Sequence, residues 1–484
     1  MMKATLRGAV LLGLLAISVP SFAEVQNVRV GGDITVRAFH RENLDLSDHS
    51  FTGTTGGTQS LNNDNFFMTT TGINIGADLT ENVSTFVRLT NERDWNVDGG
   101  ASTENSGDFS VSQSYITLKE LFYSPLTLRV GAQPIVWGRG FVLGSSLLPA
   151  TLARGGDRNG AITANEFTDF TAFDAIRATL DLSNMGGISM PLTADYVYIK
   201  LNEGTPGLPD DVNLQGVNFS TKFEQANAEL EAYYLNKRDL SETSTATSTD
   251  VNHKGSVSTL GIRGSATPVA NLSTWGELAY QFGKRAVDSL SPNPATGSGQ
   301  HGWAVDLGTE YTLADVAMTP KLGAEWIFWS GDNTDGAQAG WDPIARGYFT
   351  TALREFQTAN GIAGFYPTTV SGVTSAATNQ HELGFWTSLK PLEDLSVTPR
   401  LSFFWLDKAS IQSTGGGNTR RRYAGTEWDT NVVYNYTDDV QLGLLYAIFW
   451  PGTVYNHYGT CSTGANCSGD STAQELVTTV SVKF

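Results

Sequence analysis

The sequence has little charge, few basic residues and few long apolar segments, and each shortage excludes a class of protein. Charged residues make up 17% of the 484 positions, and 49 acidic side chains outnumber 31 basic ones, for a formal net charge of −18. Nucleic-acid binding needs a basic face for phosphate groups, so that class is excluded. Beyond the N-terminus no apolar run approaches the roughly 20 residues of a membrane-spanning helix. A β-rich protein remains, either secreted or embedded in a membrane as a β-barrel.

Cysteine is nearly absent too. Cys461 and Cys467 stand in a Gly/Ser/Thr-rich stretch near the C-terminus, where one local disulfide is expected in an oxidising compartment. Their spacing matches neither a CxxC redox pair nor a CxxCH haem site, and two cysteines alone do not make a zinc site. The cysteines therefore indicate no cofactor.

The N-terminal segment predicts export from the cytoplasm. A basic stretch precedes an apolar segment over 9–19, and small residues stand three and one positions before Glu24. This pattern predicts a secretory signal peptide over 1–23 that is cleaved. The alternative is an uncleaved anchor, which would need a longer apolar segment. We expect a single domain over 24–484.

Apolar and polar residues alternate repeatedly along the chain, as a strand with one lipid face and one wet face requires. At the C-terminus Leu476, Val480, Val482 and Phe484 share one face, while Lys483 lies on the other. An even number of strands places both termini on one side, as single-chain bacterial barrels require. The alternation predicts eighteen strands, over 27–41, 65–78, 82–94, 110–120, 125–137, 171–182, 191–201, 212–224, 227–238, 256–267, 271–285, 301–312, 319–330, 380–390, 394–407, 423–437, 439–451 and 473–484.

The predicted connections alternate in length as well. Short links such as 79–82, 224–226 and 437–439 are typical of periplasmic turns. Long polar links follow odd-numbered strands, at 42–64, 138–170, 239–255, 286–300, 331–379 and 452–472. The fold class is therefore all-β: a transmembrane antiparallel barrel of about 18 strands with short periplasmic turns and long extracellular loops, in the bacterial outer membrane.

A barrel of this size leaves an aqueous lumen. Strand parity places a set of arginines in the lumen, and one more follows the fifth strand: Arg37, Arg88, Arg129, Arg177, Arg263, Arg400 and then Arg139. Inward acids concentrate on later strands: Asp306, Glu310, Glu325, Glu382, Glu427, Asp429 and Glu475. Opposed rows of charge would create a transverse field across the pore. The alternative is that these charges pair with one another on a wet wall.

Enzyme motifs are not found in the sequence. It contains no GxSxG, HExxH or Walker loop, and its six histidines are scattered. Glu427 and Asp429, like Glu229 and Glu231, are spaced i, i+2 and so share the lumen face of a strand. We interpret both pairs as solvated pore wall rather than as acid–base catalysts.

Two loops carry further predictions. Asp157, Asn159 and Glu166 reproduce the second half of a calcium-binding loop, although Gly155 stands at the first ligand position. A structural Ca²⁺ site competes here with an ordinary Asn-Gly turn. In the longest loop, residues 348–358 are compatible with a short amphipathic helix, and a loop of this length can fold into the pore mouth as a constriction.

A series of short motifs, in order along the predicted strands, resembles the alginate export porin family over nearly all of the mature chain. The matching segments are LRVGAQP from Leu128, VWGRGF from Val136, TAFDAIR ending at Arg177, SGDN from Ser330, WDP from Trp341, GTEWD ending at Asp429, and 442–452, which ends FWPG. The resemblance implies an eighteen-stranded monomer whose arginine-rich constriction passes an anionic polysaccharide outward. Arg129 and Arg177 fall within these motifs, on neighbouring strands.

The resemblance leaves three functions open. The first is export of an anionic polysaccharide or oligosaccharide, with Arg129 and Arg177 contacting one carboxylated sugar, or else bracing the wall through Glu92 or Asp181. The second is a general diffusion or uptake porin for small solutes. The third is a barrel that sheathes a periplasmic electron carrier. All three imply contact with outer-membrane lipid and lipopolysaccharide and insertion by the barrel-assembly machinery.

Overall fold

The lipid-facing alternation of the sequence produces one continuous antiparallel sheet. A computed structural model describes residues 27–44, 46, 63–95, 109–144, 164–183, 190–203, 211–240, 255–284, 299–331, 340–357, 378–414, 417–455 and 471–484. The strands are β1 Asn27–Glu42, β2 Asn63–Thr80, β3 Val83–Asp94, β4 Ser110–Leu118, β5 Leu126–Gln133, β6 Phe173–Asp181, β7 Leu192–Asn202, β8 Val212–Phe223, β9 Ala228–Asp239, β10 Gly255–Val269, β11 Leu272–Lys284, β12 Gly299–Gln300, β13 Trp303–Thr312, β14 Lys321–Trp329, β15 Gln380–Leu392, β16 Leu395–Thr414, β17 Gly417–Asn435, β18 Val440–Pro451 and β19 Ala473–Lys483.

The sheet closes on itself because the first strand pairs with the last. Strand β1 runs antiparallel to both β2 and β19, in a register that joins Asp33 to Lys483 and Glu42 to Gln474. The short strand β12 and strand β13 both pair with β11 and so share one place in the ring. The barrel therefore has eighteen positions, which confirms the predicted fold. Strand β1 begins and strand β19 ends at the end of the barrel that carries the short connections. We call this end the turn end and the opposite end the loop end.

The two faces of the sheet differ as the alternation predicts. Outward side chains are apolar and exposed; Val30 is 70% exposed and the terminal Phe484 is 69% exposed. The Phe484 backbone also exchanges both its hydrogen bonds with Gly32, at 2.8 and 3.0 Å, so the last residue of the chain completes the closure. An outward apolar face of this kind is stable only against lipid.

In the part of the chain that the structure describes, helical structure is confined to short turns. Three 3₁₀ turns cover Leu121–Tyr123, Asn165–Phe167 and Glu224–Ala226, and a π-helical turn covers Ala352–Gln357. Within the described ranges, no helix has the length and apolar character that crossing a membrane would take.

The inward face is apolar in one region, which alternation alone does not predict. Towards the loop end of β7 to β14, inward side chains are almost completely buried: Val197, Ile199, Leu214, Leu235, Ala279, Ala304 and Ile327. They are covered by two chain segments inside the barrel, which we call segment A (134–144, after β5) and segment B (340–357, after β14). Part of the lumen is therefore a packed core.

Candidate pore constriction

Segment A turns sharply into the lumen. Gly138 and Gly140 have φ values of +58° and +80°, a backbone region that favours glycine. A Cβ atom on Gly138 would lie 2.5 Å from Cδ of Arg263, so the segment also passes close against the wall. The turn places Trp137 and Phe141 among the buried inward residues.

Segment B meets segment A backbone to backbone. Residues Leu143 and Ala345 form a parallel bridge, and the Gly144 N–H donates to the Ala345 carbonyl at 2.8 Å. The Gly347 N–H donates to the Gly140 carbonyl at 2.8 Å. A Cβ on Gly347 would lie 2.5 Å from the carbonyl carbon of Gly144, so only glycine permits this approach.

We expect Gly347→Ala to separate the two segments, because the added methyl group meets backbone rather than a mobile side chain. Overpacking of this kind costs about 1–3 kcal/mol. Thermal unfolding of the purified barrel, followed by gel mobility, would show a lower transition temperature. The matched control is Gly76→Ala, whose Cβ would lie no nearer than 3.8 Å to the end of a flexible arginine. Equal stability of the two variants would contradict the close approach.

Aromatic packing holds both segments against the wall. The Phe141 ring stacks on Trp329 with centroids 4.2 Å apart, and the centroids of Trp329 and Trp341 are 5.6 Å apart. Each large apolar side chain buried in this way contributes about 1.5–3 kcal/mol. The segments are therefore a fixed part of the lumen.

Segment B is also anchored by two inward carboxylates of β17. Glu427 accepts the N–H groups of Leu353 and Arg354 at 2.6 and 2.8 Å, and Asp429 accepts that of Ala352 at 3.2 Å. Glu427 is fully buried and Asp429 is 6% exposed. Both face inward as predicted, but the interpretation as solvated pore wall is wrong, because segment B covers them.

A charged cluster lies where segments A and B meet the wall. The Glu325 carboxylate of β14 is fully buried and accepts from Arg139 at 3.1 Å, Arg400 at 3.2 Å and the Tyr348 hydroxyl at 2.9 Å. Arg400 also donates to Glu382 at 2.9 Å. One carboxylate thus joins both segments to the barrel wall.

A further buried ion pair lies entirely within segment B. Arg346 pairs with Glu355, and its Nε donates to the Tyr348 carbonyl at 2.7 Å. Burial lowers the pKa of Arg346 to about 10, so the guanidinium remains charged at neutral pH. The pair fixes the turn that Glu427 and Asp429 hold.

Most of the predicted pore arginines pair with carboxylates near them. Arg88 binds Asp33 at 2.7 Å and Asp169 at 2.5 Å, Arg177 binds Asp195 at 2.9 Å, and Arg263 binds Glu231 at 2.6 Å. The wall partner of Arg177 is therefore Asp195, and the prediction of Glu92 or Asp181 is wrong. Because acids accompany arginines around the described wall, the described residues do not form two opposed rows of charge.

Two inward arginines differ from the others. Among the described residues, Arg37 and Arg129 have no carboxylate within ion-pair distance. The Arg129 guanidinium lies 4.7 Å above the Tyr115 ring, with its Nε donating to Thr117 at 3.2 Å. Arg129 and Arg177 are direct partners in the β5–β6 register, and both are partly exposed. Since the described residues offer Arg129 no carboxylate, its charge is available to an anionic solute.

Among the described residues, cavities open on the turn-end side of the segments, and two of them are large. One of about 540 Å³ lies along β1 to β5 and is lined by Arg29, Lys119 and Arg129 with Tyr115. The other, of about 820 Å³, lies between segment B and strands β11 to β18, with Trp275 in its lining. They form two separate surfaces on which a solute in the lumen could bind.

Other predicted sites fall partly outside the described residues. Cys461, Cys467, Asp157 and Asn159 lie outside them, as does the signal segment 1–23. Glu166 is described; it is buried against Arg41, which also binds Glu475 at 3.1 Å. Burial raises the pKa of Glu166. The calcium site and the disulfide stay predictions.

Sequence reasoning missed Arg41, Asp195 and Arg346. Parity places Arg41 and Asp195 inward, so both could have been found by continuing the count along β1 and β7. Residues Trp326 to Trp329 are apolar on both faces of their strand. An apolar inward face predicts that other parts of the chain cover the inner wall at this place.

Comparison with known proteins gives one family and a set of similar barrels. A family model described as alginate export matches residues 33–466. No curated protein matches the chain. Among solved structures, OccK2 of Pseudomonas aeruginosa in complex with glucuronate is 11% identical, with 95% of this chain and 98% of that chain covered and a TM-score of 0.52. A BenF-like porin from Pseudomonas fluorescens is 11% identical, with 95% and 99% covered and a TM-score of 0.50. These likenesses show a shared porin fold.

Proposed function

Because this chain belongs to the alginate export family and is an outer-membrane channel, we propose that it passes anionic saccharides through the lumen. The turn end is then periplasmic and the loop end extracellular. Segments A and B narrow the lumen near the extracellular half. The cargo meets the cavity along β1 to β5 on the periplasmic side of that constriction.

The observation that carries the proposal is the position of Arg129. It lies beside Arg177 in the strand register, and the described residues offer it no carboxylate. Directly paired residues of antiparallel strands are about 4.5–5.5 Å apart, so two guanidiniums can reach one carboxylated sugar. A planar guanidinium binds carboxylate through two hydrogen bonds and stays charged at any physiological pH.

Two further features support an acidic sugar. Lys119 lines the same cavity as Arg129, and so does Arg29, which is paired with Asp78 at 2.8 Å. In the OccK2 structure a porin barrel holds glucuronate, which is a carboxylated sugar. The overall charge of −18 is no obstacle, because local groups at the constriction determine selectivity.

We expect Arg129→Ala with Arg177→Ala to weaken current block by an anionic oligosaccharide about 10- to 100-fold, since charge-assisted hydrogen bonds contribute about 1.5–3 kcal/mol. The reversal potential in a salt gradient should also move towards less anion preference. Planar-bilayer recording measures both quantities. Arg238→Ala is the matched control, because Arg238 is exposed on the outward face of β9.

Unchanged block and reversal potential in the double variant would leave the arginines as wall braces and favour a general diffusion porin. A sheath for a periplasmic electron carrier is disfavoured by segments A and B, which occupy lumen space that a second protein would need. The proposed passage involves no catalytic step.

A further inference from the structure

A row of polar side chains crosses the outer face of the barrel near the loop end. Ser256 of β10 pairs in register with Arg238 of β9 on one side and with Lys284 of β11 on the other. We call these three residues the basic row. Its two cations are about 10 Å apart at the backbone, because neighbouring strands are about 4.8 Å apart. Both are exposed, and among the described residues neither has a carboxylate within ion-pair distance.

Contacts on the lumen side show that the basic row faces outward. Lys237, next to Arg238, points inward and binds Asp342 of segment B at 3.2 Å. Gln281, three positions before Lys284, also points inward and donates to the Asp342 carbonyl at 2.7 Å. Successive residues of a strand alternate between the two faces, so both cations point away from the pore and its cargo.

The outward side chains below the basic row change from polar to apolar towards the middle of the barrel. In register, the successive rows hold Asn236, Ser258 and Phe282, then Tyr234, Leu260 and Tyr280, and then Ala232, Ile262 and Leu278. Tyrosines are typical of the belt at a membrane interface, and apolar rows below them are typical of the hydrocarbon layer. The basic row lies four residues beyond the tyrosines, which is about 13 Å along a tilted strand and about 10 Å along the membrane normal. It therefore lies in the headgroup layer.

Polar groups between the tyrosines and the basic row are bonded to one another. The Asn236 amide donates to the hydroxyls of Ser256 and Ser258 at 3.0 and 3.1 Å, and the hydroxyls of Ser258 and Tyr234 are 3.0 Å apart. Amide and hydroxyl groups on the outward face would be costly in hydrocarbon, so they too indicate a hydrated layer. This part of the outer face offers cations for phosphate and hydroxyls for sugar.

We propose that the basic row binds the phosphates of lipid A, the phosphorylated glucosamine disaccharide that anchors lipopolysaccharide in the outer leaflet. The loop end is extracellular, so the basic row meets this leaflet. Lipid A carries a phosphate at each end of its disaccharide, and the basic row presents two separated cations. Arg238 binds one phosphate through two hydrogen bonds, and Lys284 attracts the other as a point charge. The sugar between the phosphates meets Ser256 and Asn236. This inference does not depend on the cargo of the pore.

Titration of the purified barrel in detergent with lipid A, followed by native mass spectrometry, tests the site. We expect Arg238→Ala with Lys284→Ala to weaken lipid A binding about 30-fold, because each basic side chain near an anionic lipid surface contributes about fivefold. The matched control is Lys200→Ala, which should keep the binding. Lys200 continues the same row on β7, two strands from Arg238, but it is already paired with Asp211 at 2.5 Å.

Phosphatidylglycerol is the second probe, because it carries one phosphate and no sugar. We expect the unmodified barrel to prefer lipid A and the double variant to lose that preference. Arg238→Gln with Lys284→Gln removes the charges with a smaller change in volume and serves if heat-dependent gel mobility shows that the alanine variant does not fold. Unchanged lipid A binding in either folded variant would overturn the proposal. An equal loss of binding for both lipids would also overturn it, since it would indicate attraction to any anionic surface. Both outcomes would leave the proposed saccharide passage standing.

Discussion

Replacing Glu427 and Asp429 by alanine will raise the channel conductance several-fold. These carboxylates accept three consecutive N–H groups of segment B, at 2.6, 2.8 and 3.2 Å, and hold its π-helical turn against β17. Without them the three donors would be buried and unsatisfied. The segment will then leave the wall for part of the time and widen the path for ions.

The size of this effect follows from the hydrogen bonds lost. A hydrogen bond to a charged group contributes about 1.5–3 kcal/mol, so losing the two short ones at Glu427 shifts the ratio of docked to undocked states about 10²- to 10⁴-fold. Single-channel recording will show a larger mean conductance with frequent transitions between levels. The paired control is Glu393→Ala with Asp394→Ala, which removes two exposed acids at the β15–β16 turn. A quiet channel of unchanged conductance in the Glu427 and Asp429 variant would show that other contacts hold segment B.

Glu325→Ala will cause the largest loss of stability among single substitutions in the constriction. The buried carboxylate binds Arg139, Arg400 and Tyr348. Its removal therefore takes one carboxylate partner from each of the two guanidiniums. Breaking a buried ion pair on one side destabilises a protein by about 3–5 kcal/mol. The transition temperature of the purified barrel, read by gel mobility, measures the loss.

Glu229→Ala is the matched control for Glu325→Ala. The Glu229 side chain is 39% exposed and pairs with the exposed Lys222, and pairs of this kind contribute about 0–1 kcal/mol. If both variants unfold at the same temperature, the Glu325 cluster is not a stabilising contact between the segments and the wall.

The strands could be predicted from the sequence because lipid on one side and water on the other impose a two-residue period. All eighteen predicted strands are present, and most boundaries agree within a few residues. The β16–β17 hairpin runs further than predicted, to Thr414 and from Gly417, because strands can continue beyond the membrane where the period no longer marks them. The interruption at His301 and Gly302 between β12 and β13 carries no signal in the alternation.

The lumen could be predicted only in part. Parity placed Arg129, Arg177 and Arg400 inward, since that information is local to each strand. Which acid each arginine meets depends on register and on the path of segments A and B, and these are set by packing among residues far apart in sequence. The contact between Gly140 and Gly347 joins chain positions separated by nine strands, β6 to β14, and no local pattern encodes it.

The backbone junction between segments A and B has a mechanical consequence. Segment A leaves the ring between β5 and β6, and segment B leaves it between β14 and β15, nearly half the circumference away. An empty ring flattens easily into an ellipse, whereas a wall backed by a packed layer resists bending. Because segments A and B pack against the inner wall of β7 to β14 and join each other at Gly144 and Ala345, we expect lateral pressure in the bilayer to bend that part of the wall less than a part without such a layer.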